Sequence, residues 1–169
     1  MNKLVYIGLG SNMGDRLTHI EQAISDIKHR LKCEILAISS VYETSPVGVE
    51  SQPDFLNCVC LVNTTLDAQK ILKKLLGIEK SHGRALSSNI SPRTLDLDIL
   101  LFGELTVNEP GLVIPHPRIT ERAFVLVPLA EIRPNLTHPS WTLTVTEILE
   151  SLTYTDKVEK LPYSKPYLG

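Results

Sequence analysis

Two hydrophobic periods alternate along this chain. Residues 4–9 form a short apolar run and predict a buried strand. After it, Leu17, Ile20, Ile24, Ile27 and Leu31 recur at spacings of three and four, the single apolar stripe of a helix, with Asp15 placed to cap its start. Residues 34–42 predict a second strand with apolar or small residues on both faces. Residues 55–63 predict a third, with Leu56, Cys58, Cys60 and Val62 on one face and Phe55, Asn57, Val59 and Leu61 on the other. Ala68, Ile71, Leu72, Leu75 and Ile78 form a second helical stripe, opened by Asp67 and closed near His82 and Gly83. Residues 84–93 are polar and almost without period, and read as a mobile loop with an arginine at each end, Arg84 and Arg93.

From Leu95 the period returns to two. Leu95, Leu97, Ile99 and Leu101 take one side and Asp96 and Asp98 the other, where Leu100 and Phe102 follow them. A half-buried face with a polar end suits the wall of a cleft. Beyond it the pattern predicts a turn and short return strand over 102–107, and an extended stretch around Pro110, Pro115 and Pro117. A short helix over 120–127 ending near Pro128 comes next, then a helix over 144–152.

The order strand, helix, strand, strand, helix, strand predicts an α+β fold, a ferredoxin-like βαββαβ sandwich with an antiparallel sheet and extra C-terminal elements. Helices are expected on one face, leaving the long loops and the acidic strand to build a cleft on the other. No repeat or linker divides the chain, so residues 1–169 are read as one domain.

Hydrophobic residues make up 43% of the chain and no apolar run reaches membrane-spanning length, which excludes a membrane partner from the expectations. The net charge of −2 implies no broad basic surface, so no nucleic acid is expected and any anion site must be local. Cys33, Cys58 and Cys60 make an odd set without a disulfide framework. The Cys58–Cys60 pair has no nearby histidine and reads as core thiols. No signal peptide is read at the start, and the expected location is cytoplasmic. Gly8, Gly10 and Gly14 follow G-x-G-x-x-x-G, which fits neither a dinucleotide fingerprint nor a P-loop, and reads as a tight turn between strand and helix.

Candidate chemistry concentrates in residues 91–102. Asp96 and Asp98, as i and i+2 of a strand, repel each other unless a cation lies between them, and Mg²⁺ prefers such oxygen ligands. With Arg93 just upstream, the group reads as a site for phosphoryl chemistry; the solvated face of an edge strand would show the same alternation. Asn57 stands alone in an apolar face, either as a satisfied core amide or as one presented to a polar heterocycle. The loop over 43–53, stiffened by two prolines, is long enough to be functional. His116, between two prolines, is held stiffly.

Several blocks together resemble one family. They are Gly8-x-Gly10-Ser11-Asn12-x-Gly14-Asp15-Arg16, Tyr42-x-Thr44-x-Pro46-Val47-Gly48 and Gln52-Pro53-Asp54-Phe55-Leu56-Asn57. Further along come Pro92-Arg93-Thr94-Leu95-Asp96-Leu97-Asp98-Ile99-Leu100, Pro115-His116-Pro117-Arg118 and Glu121-Arg122-Ala123-Phe124. In this order they resemble 6-hydroxymethyl-7,8-dihydropterin pyrophosphokinase, an enzyme of folate biosynthesis. The resemblance implies transfer of a diphosphoryl group from ATP to a reduced pterin with release of AMP. It implies two Mg²⁺ ions on Asp96 and Asp98, with ATP as co-substrate. It places the pterin between Phe55 and Phe124, with Asn57, Thr44, Pro46 and Val47 at its edge. It places Glu79, Ile99, His116 and Arg122 near the nucleotide, and Arg84 and Arg93 as the catalytic arginines. A monomer is expected, with a dimer as the alternative. The chain departs from the family's frequent pattern at Leu76, Leu86 and Ile90, and carries Phe55 where a tyrosine is common.

Overall fold

The computed structural model describes residues 1–47, 51–83 and 94–162. Strand β1 (Lys3–Ser11) leads into helix α1 (Arg16–Arg30), whose start is capped by the Asp15 carboxylate accepting from Thr18 N. Two short strands follow, β2 (Glu34–Ile38) and β3 (Tyr42–Thr44), then β4 (Phe55–Thr64). Helix α2 (Ala68–Ser81) is capped in the same way by Asp67, and strand β5 (Asp96–Phe102) follows. All pairings in the main sheet are antiparallel, in the order β5, β1, β4, β3, with β2 also on β4.

The single strand expected over 34–42 is broken at Ser39. Its hydroxyl accepts from Val59 N at 2.9 Å, so a side chain replaces a ladder partner and the chain bends before β3. The expectation of a bare second face is corrected too. Strands β6 (Val107–Glu109) and β7 (Leu112–Ile114) pair only with each other, closed by a Pro110-Gly111 turn with Gly111 at φ +78°, so the extended stretch is a hairpin and the return strand does not join β5. The third helix, α3 (Ala123–Ile132), runs through Pro128 instead of ending near it. Its apolar side lies with α4 (Val145–Ser151) over Tyr6, Val59, Leu61, Leu100 and Leu101. Burial of that face keeps the helix together despite the missing proline N–H. Helices α1 and α2 cover the opposite face, over Val5, Ile7, Leu9, Cys58, Cys60 and Val62. The core thiols expected at Cys58 and Cys60 are buried there, and burial pushes Cys58 up to about 12.

In β5 a register shift opposite Tyr6 and Ile7 skips Leu100. The bulge turns the strand, so Leu101 joins the α3 side and Phe102 the α1 side, the reverse of plain alternation. Further on, the charged C-terminal stretch forms an edge strand, β8 (Val158–Lys160), against β3.

Glu131, at the far end of α3, ties that helix to β3. Its carboxylate accepts from Ser40 N, from Ser40 Oγ at 3.1 Å and from Tyr42 OH at 2.5 Å. Partial burial alone would raise its pKa, but the bonds from Tyr42 and Ser40 outweigh that and hold it below the ordinary value. The stabilisation is therefore full above the unfolded carboxylate's pKa and is lost as pH falls through the lower, folded one. Glu131→Ala is expected to cost about 1–2 kcal/mol at neutral pH, limited by the exposure of Glu131. Urea melts of both proteins should converge as pH drops below about 4. A gap unchanged down to pH 3 would mean the carboxylate charge contributes nothing.

Candidate active site

The cleft is built on one face of the sheet from cross-strand neighbours. Asn57 on β4 stands opposite Gly10 on β1, and Gly10 stands opposite Asp96 on β5. One row along, Val59, Gly8 and Asp98 repeat the arrangement. With strands about 4.8 Å apart, Asn57 and Asp96 lie roughly 10 Å apart across a strip of backbone that carries no side chain. The cleft has a volume of about 500 Å³. The glycines are thus inside β1, not in the tight turn expected from their spacing; of the three, Gly14 alone lies past the strand, at φ +73°. A Cβ on Gly10 would stand 2.7 Å from Asn57 Oδ1 and 3.5 Å from Phe55 Cδ1. Gly8 and Gly10 therefore form part of the cleft floor inside β1 and do not make the turn their spacing predicts.

Thr44, Pro46, Val47, Phe55, Asn57 and Phe124 all line the cleft. Thr44 and Phe55 are a cross-strand pair, and Asn57 Nδ2 donates to Thr44 Oγ1 at 2.6 Å. That bond fixes the amide orientation, with Oδ1 towards Gly10. Phe124, in the first turn of α3, holds the Arg122 guanidinium 5.5 Å from its ring centre.

Asp96 and Asp98 line the cleft together, both half-buried. Between them, Leu97 N donates to the buried carboxylate of Glu79 at 2.8 Å, so α2 grips the strand where the acidic pair sits. Glu79 also lines the cleft, beside Leu72 and Leu76. His116 is set by its backbone N–H, which donates to the Leu100 carbonyl at the bulge. Its Nδ1 accepts from Arg118 N at 3.3 Å, leaving the proton of the neutral ring on Nε2. Burial, then the charges of Arg122 and Arg118, lower its pKa, with Asp96 pulling the other way. Burial likewise lowers Arg122, opposed chiefly by Asp98. Arg122 Nε is buried with no hydrogen-bond partner among the described residues, a donor suited to an anion.

Two expectations stand apart. Ile99 packs in the core towards α1 and α2, and its side chain is not among those lining the cleft. Arg84 and Arg93, with Leu86 and Ile90, lie outside the described residues.

The donor set at Asp96 and Asp98 fits a hard cation. Two adjacent carboxylates line an open cleft, where phosphate oxygens and water could supply the remaining ligands. No group of three or more histidine, cysteine or acidic side chains among the described residues gathers to hold a metal without such help.

Residues 6–134 match the family model described as 7,8-dihydro-6-hydroxymethylpterin-pyrophosphokinase. A 2-amino-4-hydroxy-6-hydroxymethyldihydropteridine pyrophosphokinase of Bacillus subtilis is 45% identical over 132 residues, covering 78% of this chain and 79% of that protein. One of the same name from Pseudomonas aeruginosa is 37% identical, covering 96% and 99%. Among solved structures, an HPPK-DHPS of Plasmodium falciparum superposes with a TM-score of 0.74 at 15% identity, covering 89% of this chain and 45% of the other. This chain therefore spans less than half the length of that two-part protein, and its likeness to it shows the fold alone.

Proposed function

Since the chain belongs to the 7,8-dihydro-6-hydroxymethylpterin-pyrophosphokinase family, we propose how its cleft divides the work of that reaction. The enzyme transfers the diphosphoryl group of ATP to 6-hydroxymethyl-7,8-dihydropterin, a step of folate biosynthesis, and releases AMP. The pterin hydroxymethyl oxygen bonds to the β-phosphorus while the bond from that phosphorus to the α,β-bridging oxygen breaks. The electron pair leaves with AMP, and the hydroxyl proton passes to solvent. Reactions of this kind depend on alignment and charge stabilisation more than on a strong base.

The row Asn57–Gly10–Asp96 carries the division of roles. On the β4 side, the Asn57 amide, already oriented by Thr44, reads the donor-and-acceptor edge of the pterin. Phe55 and Phe124 offer aromatic faces to its ring, and Pro46 and Val47 close the rim. The bare backbone of Gly8 and Gly10 lets a flat ring and a phosphate chain lie against the sheet. On the β5 side, Asp96 and Asp98 would hold Mg²⁺, two ions by the resemblance. Bound there, the metal would neutralise phosphate charge and polarise the phosphoryl oxygens. Arg122 and His116 take the triphosphate, a role that the orphan Nε of Arg122 supports. Glu79 holds β5 in place from behind, with its carboxylate at the nucleotide side of the cleft. Arg84 and Arg93 complete the phosphate contacts in this scheme.

The strand order β5, β1, β4, β3 supports a ferredoxin-like βαββαβ sheet. The pairing of β8 with β3, beyond the family match, supports a single pyrophosphokinase domain over residues 1–169. A cytoplasmic location fits the free thiols of Cys33, Cys58 and Cys60. No helix among the described residues is long and apolar enough to cross a membrane.

Phe124→Ala tests the division directly. Pterin affinity should fall about tenfold or more, while the affinity for a non-hydrolysable ATP analogue changes less than threefold. Calorimetry with each ligand separately checks this. Equal weakening of both would put Phe124 in a general structural role.

A further inference from the structure

The loop between β3 and β4 supplies Ser45, Pro46, Val47 and Gln52 to the cleft. Its neck lies at Thr44 and Phe55, which pair across the two strands. Glu43 precedes Thr44 in β3 and Asp54 precedes Phe55 at the end of the loop, and both carboxylates reach the same cation. Lys157 Nζ is 2.7 Å from Glu43 Oε1 and 3.2 Å from Asp54 Oδ2. The backbone of Lys157 adds two more ties, since its N–H donates to Ser45 Oγ at 3.0 Å and its carbonyl accepts from Ser45 N at 3.2 Å. Arg16 completes the neck from α1, 2.9 Å from Glu43 Oε2 and from the Asp54 carbonyl. Lys157 is 34% exposed and Glu43 26%, so these pairs are partly shielded from water. Lys157 lies well past residue 134, where the match to the family model ends.

We propose that Lys157 is a positioning residue for the pterin half of the cleft, a C-terminal strap that sets the spacing of Thr44 and Phe55 and the placement of Ser45 and Asp54 beside them. It touches neither substrate. It acts by holding two strands and both ends of the loop at one point, so its loss loosens the pterin wall and leaves the Asp96–Asp98 wall on β5 undisturbed. The inference rests on the reading that Asn57, Phe55 and Thr44 face the pterin.

Steady-state kinetics on four variants separates the two ideas. Lys157→Met should raise the pterin KM about five- to tenfold, with kcat and the ATP KM within twofold of the parent. Lys157→Arg should restore most of the loss, and Asp54→Asn, which removes one pair only, should give a smaller rise of the same kind. Asp54→Asn also keeps the test open if the Met variant folds poorly. The pterin is uncharged near neutral pH, so the parent's pterin KM should climb with added KCl, and that dependence should flatten in Lys157→Met. An unchanged pterin KM in both Lys157→Met and Asp54→Asn, or equal rises for pterin and ATP, overturns the strap. Asn57→Ala is the control for the underlying reading. If it weakens pterin binding while the Lys157 and Asp54 variants do not, the strap alone fails. If Asn57→Ala leaves pterin binding untouched, the pocket reading fails and the strap with it.

Discussion

Asp98→Ala lowers diphosphoryl transfer by about a thousandfold or more and leaves the fold standing. Asp98 is half-buried on the cleft face of β5, directly across from Gly8. Its removal opens no cavity in either core cluster, so the melting temperature should move by only a few degrees. The loss is chemical. One carboxylate of the adjacent pair disappears, and with it half of the oxygen pair proposed to hold a cation. The defect should fall mainly on kcat and on the Mg²⁺ concentration needed for half-maximal rate, with pterin affinity near normal. Asp98→Asn, which keeps the shape and removes the charge, should be almost as inactive. Parental turnover in either variant would remove Asp98 from the reaction.

Gly10→Ala is the second large effect. The added methyl would sit 2.7 Å from Asn57 Oδ1, closer than real contacts allow, so Asn57 has to turn. It cannot turn freely, because its Nδ2 is bonded to the buried Thr44 hydroxyl. Rotation breaks that bond and withdraws the amide from the edge it reads. Pterin affinity should fall on the order of a hundredfold, the cost of losing oriented polar groups in a site built around them. Nucleotide affinity should change much less, since the new methyl meets Asn57 and Phe55, while Asp98 stands one row along, opposite Gly8. The two changes act through one side chain, so Gly10→Ala placed in an Asn57→Ala background should add little. Calorimetry on the single and double variants gives the answer. Full additivity would mean that Gly10 acts independently of Asn57.

The sequence was most readable where one period held long enough. The stripe from Leu17 to Leu31 and the alternation from Phe55 to Asn63 predict their elements and, in β4, which residues face which layer. The acidic pair and Asn57 stood out because they interrupt apolar faces. Failures came where local signals competed. The Gly8-x-Gly10 spacing reads as punctuation, yet Val5, Ile7 and Leu9 keep a period of two through it, with Tyr6, Gly8 and Gly10 on the other face. That persistence was the available sign of a strand whose cleft face had been stripped of side chains. The bulge at Leu100 had no such sign, because four consecutive apolar residues, Ile99 to Phe102, conceal a change of face. Pro128 misled by propensity, which burial of α3 overrode. The part played by Lys157 was invisible for another reason. A charged residue near a chain end carries no period, and its partners Glu43 and Asp54 lie more than a hundred residues away.

The most direct measurement is the identity of the nucleotide product. Protein, ATP, Mg²⁺ and 6-hydroxymethyl-7,8-dihydropterin are mixed, and the nucleotides are resolved by ion-exchange chromatography. The account predicts one AMP for each diphosphorylated pterin, and none when either pterin or Mg²⁺ is left out. ADP in place of AMP would mean attack at the γ-phosphorus, and would contradict a cleft that aligns the hydroxymethyl oxygen with the β-phosphorus across the Gly8–Gly10 floor.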